Sequence, residues 1–103
     1  IETGHISTSL CHLGNISYRV GSTASVDEIN GIIKEDPQAM NAVERMKSHL
    51  AKNNINLDNT PITIGPMLTF DSRKEKFKGK FADRANKLVK RTYREPFVIR
   101  EKV

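Results

Sequence analysis

Between Ile6 and Tyr18 the chain carries no Asp, Glu, Lys or Arg. Ile6, Leu10, Leu13, Ile16 and Val20 recur at spacings of four, three, three and four, the period of one helical face. Cys11 and Tyr18 sit on roughly the opposite side. An ordinary surface helix pairs one apolar stripe with a charged face. This stretch has apolar groups on two sides and small polar groups between them, so it reads as a helix wrapped on most sides by other protein. The rest of the chain is too polar to supply all of that cover. The stretch is therefore expected to belong to something larger.

At 103 residues, 37% hydrophobic and 28% charged, the chain is expected to form a single small domain, 1–103, with a modest core. It begins at Ile1 and runs through Glu2-Thr3-Gly4-His5 into the apolar helix. That start reads as a boundary inside a longer protein rather than a processed terminus. No apolar run approaches the length of a membrane span, and no membrane partner is expected. The single Cys11 excludes an internal disulfide and a multi-cysteine metal site. The compartment stays open between bacterial cytoplasm and periplasm.

The net charge of +5 is unevenly placed. Residues 73–103 hold twelve Lys and Arg against four Asp and Glu, whereas residues 1–72 hold five against eight. A basic end invites a polyanion reading. No aromatic residues are spaced for base stacking and no binding motif appears, so nucleic acid is not the expected partner. A small basic polyanion-binding or oligomerisation module remains the alternative.

Local signals place the elements. Residues 1–21 read as the buried helix, with Gly21 closing it in the left-handed conformation. Residues 22–66 read as a helical spacer and loop. Within it, Ser25-Val26-Asp27-Glu28 has the capping-box pattern, and Ile29, Ile32 and Ile33 form an apolar face. Asp36-Pro37 starts a further helix, with Met40, Val43, Met46 or the Lys47 stem, and Leu50 inward. Asn53-Asn54 ends it, and Ile62-Thr63-Ile64 has the character of a short edge strand. Residues 67–103 read as a hairpin, a short helix and a tail. The strands are Met67-Leu68-Thr69-Phe70 and Glu75-Lys76-Phe77-Lys78 around an Asp71 turn. The helix is Ala82–Lys90 with Ala85, Leu88 and Val89 inward. The tail Phe97-Val98-Ile99 either adds a strand to the hairpin or lies in a groove of a neighbour. The expected fold class is α+β, mostly helical with about four helices, and a small antiparallel hairpin near the C-terminus.

Catalytic and metal motifs are missing. There is no Gly-x-Gly-x-x-Gly, no phosphate-binding Gly-Lys-Ser/Thr loop and no His-Glu-x-x-His. His5 and His12 share a helix face with Ser9 and Arg19, but two turns apart they need a third ligand from elsewhere to hold a metal. Cys11 and His12 point about 100° apart on a helix, so they form no nucleophile pair, and Cys11 is expected as a small buried group. His5, Ser9, His12, Asn15 and Arg19 are the candidate wall of a substrate site or an interdomain contact, with neutral His, Ser9 and Asn15 suited to hydroxyl groups. The bland alternative is that the histidines hydrogen-bond at the edge of a packed helix. No residue of the chain is expected to be catalytic, to ligate a metal or to bind a cofactor.

The run from His5-Ile6-Ser7 through Leu10-Cys11-His12-Leu13-Gly14-Asn15-Ile16-Ser17-Tyr18-Arg19-Val20-Gly21 closely resembles the C-terminal part of bacterial oxidoreductases of the Gfo/Idh/MocA type, relatives of glucose-fructose oxidoreductase and inositol dehydrogenase. Gly65-Pro66-Met67-Leu68-Thr69-Phe70-Asp71 and Glu75-Lys76-Phe77 are similar to that family's terminal hairpin. Ala85-Asn86-Lys87-Leu88 and Tyr93-Arg94-Glu95-Pro96-Phe97 resemble its closing helix and tail. The stretch around Asn56-Leu57-Asp58-Asn59-Thr60-Pro61 looks like the helical spacer of one branch. The chain departs from the pattern at Met67, where Trp is expected, and at Ser72, where Pro is frequent. The resemblance implies a parent enzyme that binds NAD or NADP on an N-terminal domain and oxidises a sugar or cyclitol. The family's Lys-Pro motif and catalytic His and Asp would lie upstream of Ile1, so none is carried over. The implied partners are the upstream domains of the same chain, with a homo-oligomer possible. The isolated chain is then expected to expose apolar area around Leu10, Leu13 and Val20.

Overall fold

Ser25 and Asp36 each stop the chain from continuing as it came. Ser25 holds an extended backbone and accepts from the Glu28 N–H at 3.3 Å, while the Ser25 N–H donates to the Glu28 carboxylate at 2.7 Å. Asp36 accepts from the Gln38 and Ala39 N–H groups at 3.0 Å, with Pro37 in the first turn. Both pairs satisfy amides that a helix start leaves free.

The computed structural model describes residues 1–100. In chain order the elements are α1 (Glu2–Val20), β1 (Ser22–Ala24), α2 (Val26–Ile33), α3 (Pro37–Lys52), β2 (Ile62–Ile64), β3 (Thr69–Asp71), β4 (Lys76–Lys78) and α4 (Ala82–Asn86). The fold is α+β and mostly helical, with four helices and two antiparallel two-stranded sheets among the described residues. The chain divides into two compact units, one made of Ile1–Val20 with the chain from Pro66 onward, the other of Gly21–Gly65.

In the Gly21–Gly65 unit, β1 pairs with β2 in the register Ser22↔Ile64, Thr23↔Thr63 and Ala24↔Ile62. Val26, Ile29 and Leu57 are buried. On α3 no side chain is fully buried; Met40, Val43, Lys47 and Leu50 are half-buried and Met46 is exposed. The Lys47 stem thus takes the inward position that Met46 leaves. Asn54, at φ 62°, closes α3 in the left-handed region, and the Ile55 N–H donates to the Leu50 carbonyl at 2.9 Å.

In the other unit, Ile16 and Val20 of α1 pack with Phe77 and Ala85, flanked by Leu13, Leu68, Phe70, Phe81, Ala82 and Leu88. The hairpin register is Thr69↔Lys78, Phe70↔Phe77 and Asp71↔Lys76. The Phe70 and Phe77 rings meet at 5.0 Å between centroids with a 58° tilt, a geometry favoured by ring quadrupoles. Asp71 accepts from the Arg73 and Lys74 N–H groups at 3.0 and 3.2 Å and pairs with Lys78 at 2.8 Å.

Several expectations need correction. Gly21 is not at positive φ. A Cβ there would stand 2.6 Å from the Ile64 carbonyl oxygen, so the glycine is required by close strand approach. Ser22–Ala24, at the start of the stretch expected to be helical spacer and loop, is a strand. The first hairpin strand starts at Thr69, and Met67 is 90% exposed. Helix α4 ends at Asn86, after which Leu88 and Val89 donate to Ala85 and Asn86 in tighter turns; Ala85 is buried, Leu88 half-buried and Val89 exposed. The Phe97-Val98-Ile99 segment adds no strand to the hairpin. The Phe97 N–H donates to the Arg94 carbonyl at 2.8 Å, curling the chain, and the Arg94 guanidinium lies 5.5 Å from the Phe97 ring centre. Cys11 is exposed, not buried.

Candidate functional site

Helix α1 is rooted at its C-terminal end and free along much of its length. Ile16 and Val20 are 5% and 4% exposed, and Leu13 is half-buried. Ile6, Leu10 and Tyr18 are 54%, 67% and 66% exposed. Leu10 therefore has the exposure that was expected of it, Leu13 has part of it, and Val20 is buried against this chain's own core. The uncharged arc of the helix that runs from Ile6 and Leu10 round to Tyr18 and Cys11 has no cover from the described residues of its unit.

On another side of α1 lies a cleft of about 480 Å³, within the size range of small-molecule sites. The helix supplies His5, Thr8, Ser9, His12 and Asn15 to it. The hairpin supplies Phe70, Glu75 and Phe77, and the segment after α4 supplies Leu88, Val89 and Arg91. Leu13, Ile16 and the two Phe rings make an apolar base, and the polar groups stand around it. Four of the five candidate residues, His5, Ser9, His12 and Asn15, thus line one cleft. Arg19 lies one turn further along, past the end of the cleft, and is exposed.

His5 Nε2 is hydrogen-bonded to Glu75 Oε1, tying the first turns of α1 to the hairpin turn. Glu75 itself sits at φ 50°, a region costly for a residue with a Cβ. Both side chains are more than half exposed, so the pair contributes little stability; its effect is to place a carboxylate at the cleft mouth. Ser9 donates its hydroxyl proton to the His5 carbonyl at 2.7 Å. Its oxygen therefore meets a ligand as an acceptor. A hydroxyl committed to a backbone carbonyl is a poor nucleophile, since no base is poised to take its proton. His12, Asn15 and Arg91 add donors and acceptors suited to hydroxyl and anionic groups. The arrangement sets polar groups over an apolar base, with no nucleophile–base pair among the described residues that line it.

Glu75 and Arg91 were not among the sequence candidates. Glu75 was legible only as the start of a strand, and Arg91 as one charge in a basic run. Among the described residues no group of three or more His, Cys, Asp or Glu side chains comes together to hold a metal ion. No helix among them is long and apolar enough to cross a membrane. No protein-family model, curated protein or solved structure matches the chain.

Proposed function

We propose that this chain is an accessory C-terminal domain of an NAD(P)-dependent oxidoreductase acting on a sugar or cyclitol. It packs on upstream domains of the same protein and is not catalytic by itself. The carrying observation is the uncharged, uncovered side of α1, with Ile6, Leu10 and Tyr18 each more than half exposed. Exposed apolar area of this kind marks an interaction surface, and the resemblance in this helix to the Gfo/Idh/MocA C-terminal part names the upstream domains as its cover. The cleft lined by Ser9, His12 and Asn15 supports the second half of the reading, because such groups hydrogen-bond substrate hydroxyls.

The chain has no glycine-rich phosphate loop, so the nicotinamide cofactor belongs to the upstream part. Hydride transfer would take place there. This chain's own residues orient and enclose. The test is the native reading frame upstream of Ile1. A glycine-rich strand–turn–helix fingerprint followed by a Lys-Pro motif is the expected result. A native start codon close to Ile1 would contradict it.

A further inference from the structure

A second recess adjoins the cleft and shares two of its walls, Glu75 and Val89. It measures about 570 Å³ and is completed by Lys74, Lys76, Asn86 and Lys90. Three lysines therefore line one recess, in the most basic part of the chain. Three local bonds set its character. The Glu75 carboxylate is held by His5 on the cleft side, and the Asn86 amide is spent on both peptide groups of Phe77, at 2.8 and 3.0 Å. The Asn86 amide is thereby spent, and the lysines outnumber the one Glu75 carboxylate, so the recess is net positive. Lysine binds as a compact point charge, which suits a tetrahedral dianion; a carboxylate is matched better by the planar fork of Arg.

We propose that this recess is a phosphate subsite, taking the phosphate of a small phosphorylated polyol whose hydroxylated body lies in the adjoining cleft. The inference rests on the cleft being a ligand site and adds the anionic class of the ligand. The hydroxyls meet Ser9, His12 and Asn15, and the phosphate meets Lys74 and Lys76 beyond the Glu75 and Val89 divide.

The experiment is a set of NMR titrations of the whole chain with ribose, inorganic phosphate and ribose 5-phosphate, repeated on the Lys74→Ala/Lys76→Ala double variant and on a Lys52→Ala control. Ribose 5-phosphate is expected to bind at least about tenfold more tightly than ribose, shifting the amides of Lys74 and Lys76 together with those of His12 and Asn15. The advantage should weaken as salt is added and vanish in the double variant, with ribose binding unchanged there. The Lys52→Ala control should behave as the parent chain. Equal binding of ribose and ribose 5-phosphate would overturn the phosphate subsite and leave the cleft standing. Failure of all three probes would remove the cleft reading as well. Lysine shifts with a single-stranded oligonucleotide and none with ribose 5-phosphate would overturn the proposal in favour of an extended polyanion.

Discussion

The side-chain amide of Asn86 takes both main-chain hydrogen bonds of Phe77: its Oδ1 accepts from the Phe77 N–H at 2.8 Å and its Nδ2 donates to the Phe77 carbonyl at 3.0 Å. Phe77 faces Phe70 across the hairpin as a non-hydrogen-bonded pair, its N–H and carbonyl turned instead to Asn86 at the open edge. Asn86 stands there in place of a third strand and fastens α4 to β4. Replacing it with Ala leaves a half-covered donor and acceptor without partners, which costs about 1–3 kcal/mol. Asn86→Asp keeps the acceptor and loses the donor, so it should fall between the two. Urea unfolding of the three proteins checks the order.

The rooted end of α1 and its exposed stretch should respond differently to truncation. Ile16→Ala removes a side chain from the core formed with Val20, Phe77 and Ala85, at a cost of about 2–5 kcal/mol. Leu10→Ala removes one that is 67% exposed and should shift stability by no more than about 0.5 kcal/mol. Thermal unfolding of both variants, measured on this chain alone, makes the comparison.

Gly21→Ala is expected to destabilise the Gly21–Gly65 unit. The added methyl meets the Ile64 carbonyl oxygen at 2.6 Å, so the β1–β2 pair has to part, at roughly 1–3 kcal/mol. Amide exchange at Ser22–Ala24 and Ile62–Ile64 should accelerate. If the cost came from lost conformational freedom alone, exchange there would be unaltered.

Two carboxylates make the fold sensitive to acid. The Ser25 N–H, and then the Ser25 hydroxyl, hold Glu28 below its ordinary 4.5. The Lys78 ammonium, with the Lys74 and Arg73 N–H groups, holds Asp71 below its ordinary 3.8. A lowered native pKa means the unfolded chain binds protons first, so the contribution is complete above the ordinary value and is lost as pH falls through the native one. The urea midpoint should therefore drop below pH 4.5 and drop further below pH 3.8. In the Glu28→Gln/Asp71→Asn double variant that decline should be shallower.

What could be read from the sequence were the features set by a few neighbouring residues. The Ser25–Glu28 box, the Asp36-Pro37 start, the Asn53-Asn54 stop and the Asp71 turn each depend on bonds spanning no more than a helical turn, and each is present. The pairing of Ser22–Ala24 with Ile62–Ile64 was not legible as a pair, because strands so short carry no alternation to count and their partner lies far along the chain. Gly21 was misread for the same reason: its neighbour, the Ile64 carbonyl, is distant in sequence. The helical face of His5, Ser9, His12 and Asn15 was visible from spacing alone. Its opposing wall was not, because Glu75 and Arg91 arrive through the hairpin and the segment after α4. Arg19 has the right spacing and fails only because the cleft ends near Ile16.

If the uncharged arc of α1 is covered by the rest of a larger protein, as proposed, Cys11 reports on it directly. It is the chain's one cysteine and is exposed beside Leu10. The measurement is the rate of thiol alkylation at Cys11, read by peptide mass, in this chain and in the protein expressed from its whole native reading frame. Fast labelling is expected in the chain alone, with strong protection in the whole protein until it is unfolded. Equal rates in the two would mean that no upstream domain covers this face, and the accessory-domain reading would fall.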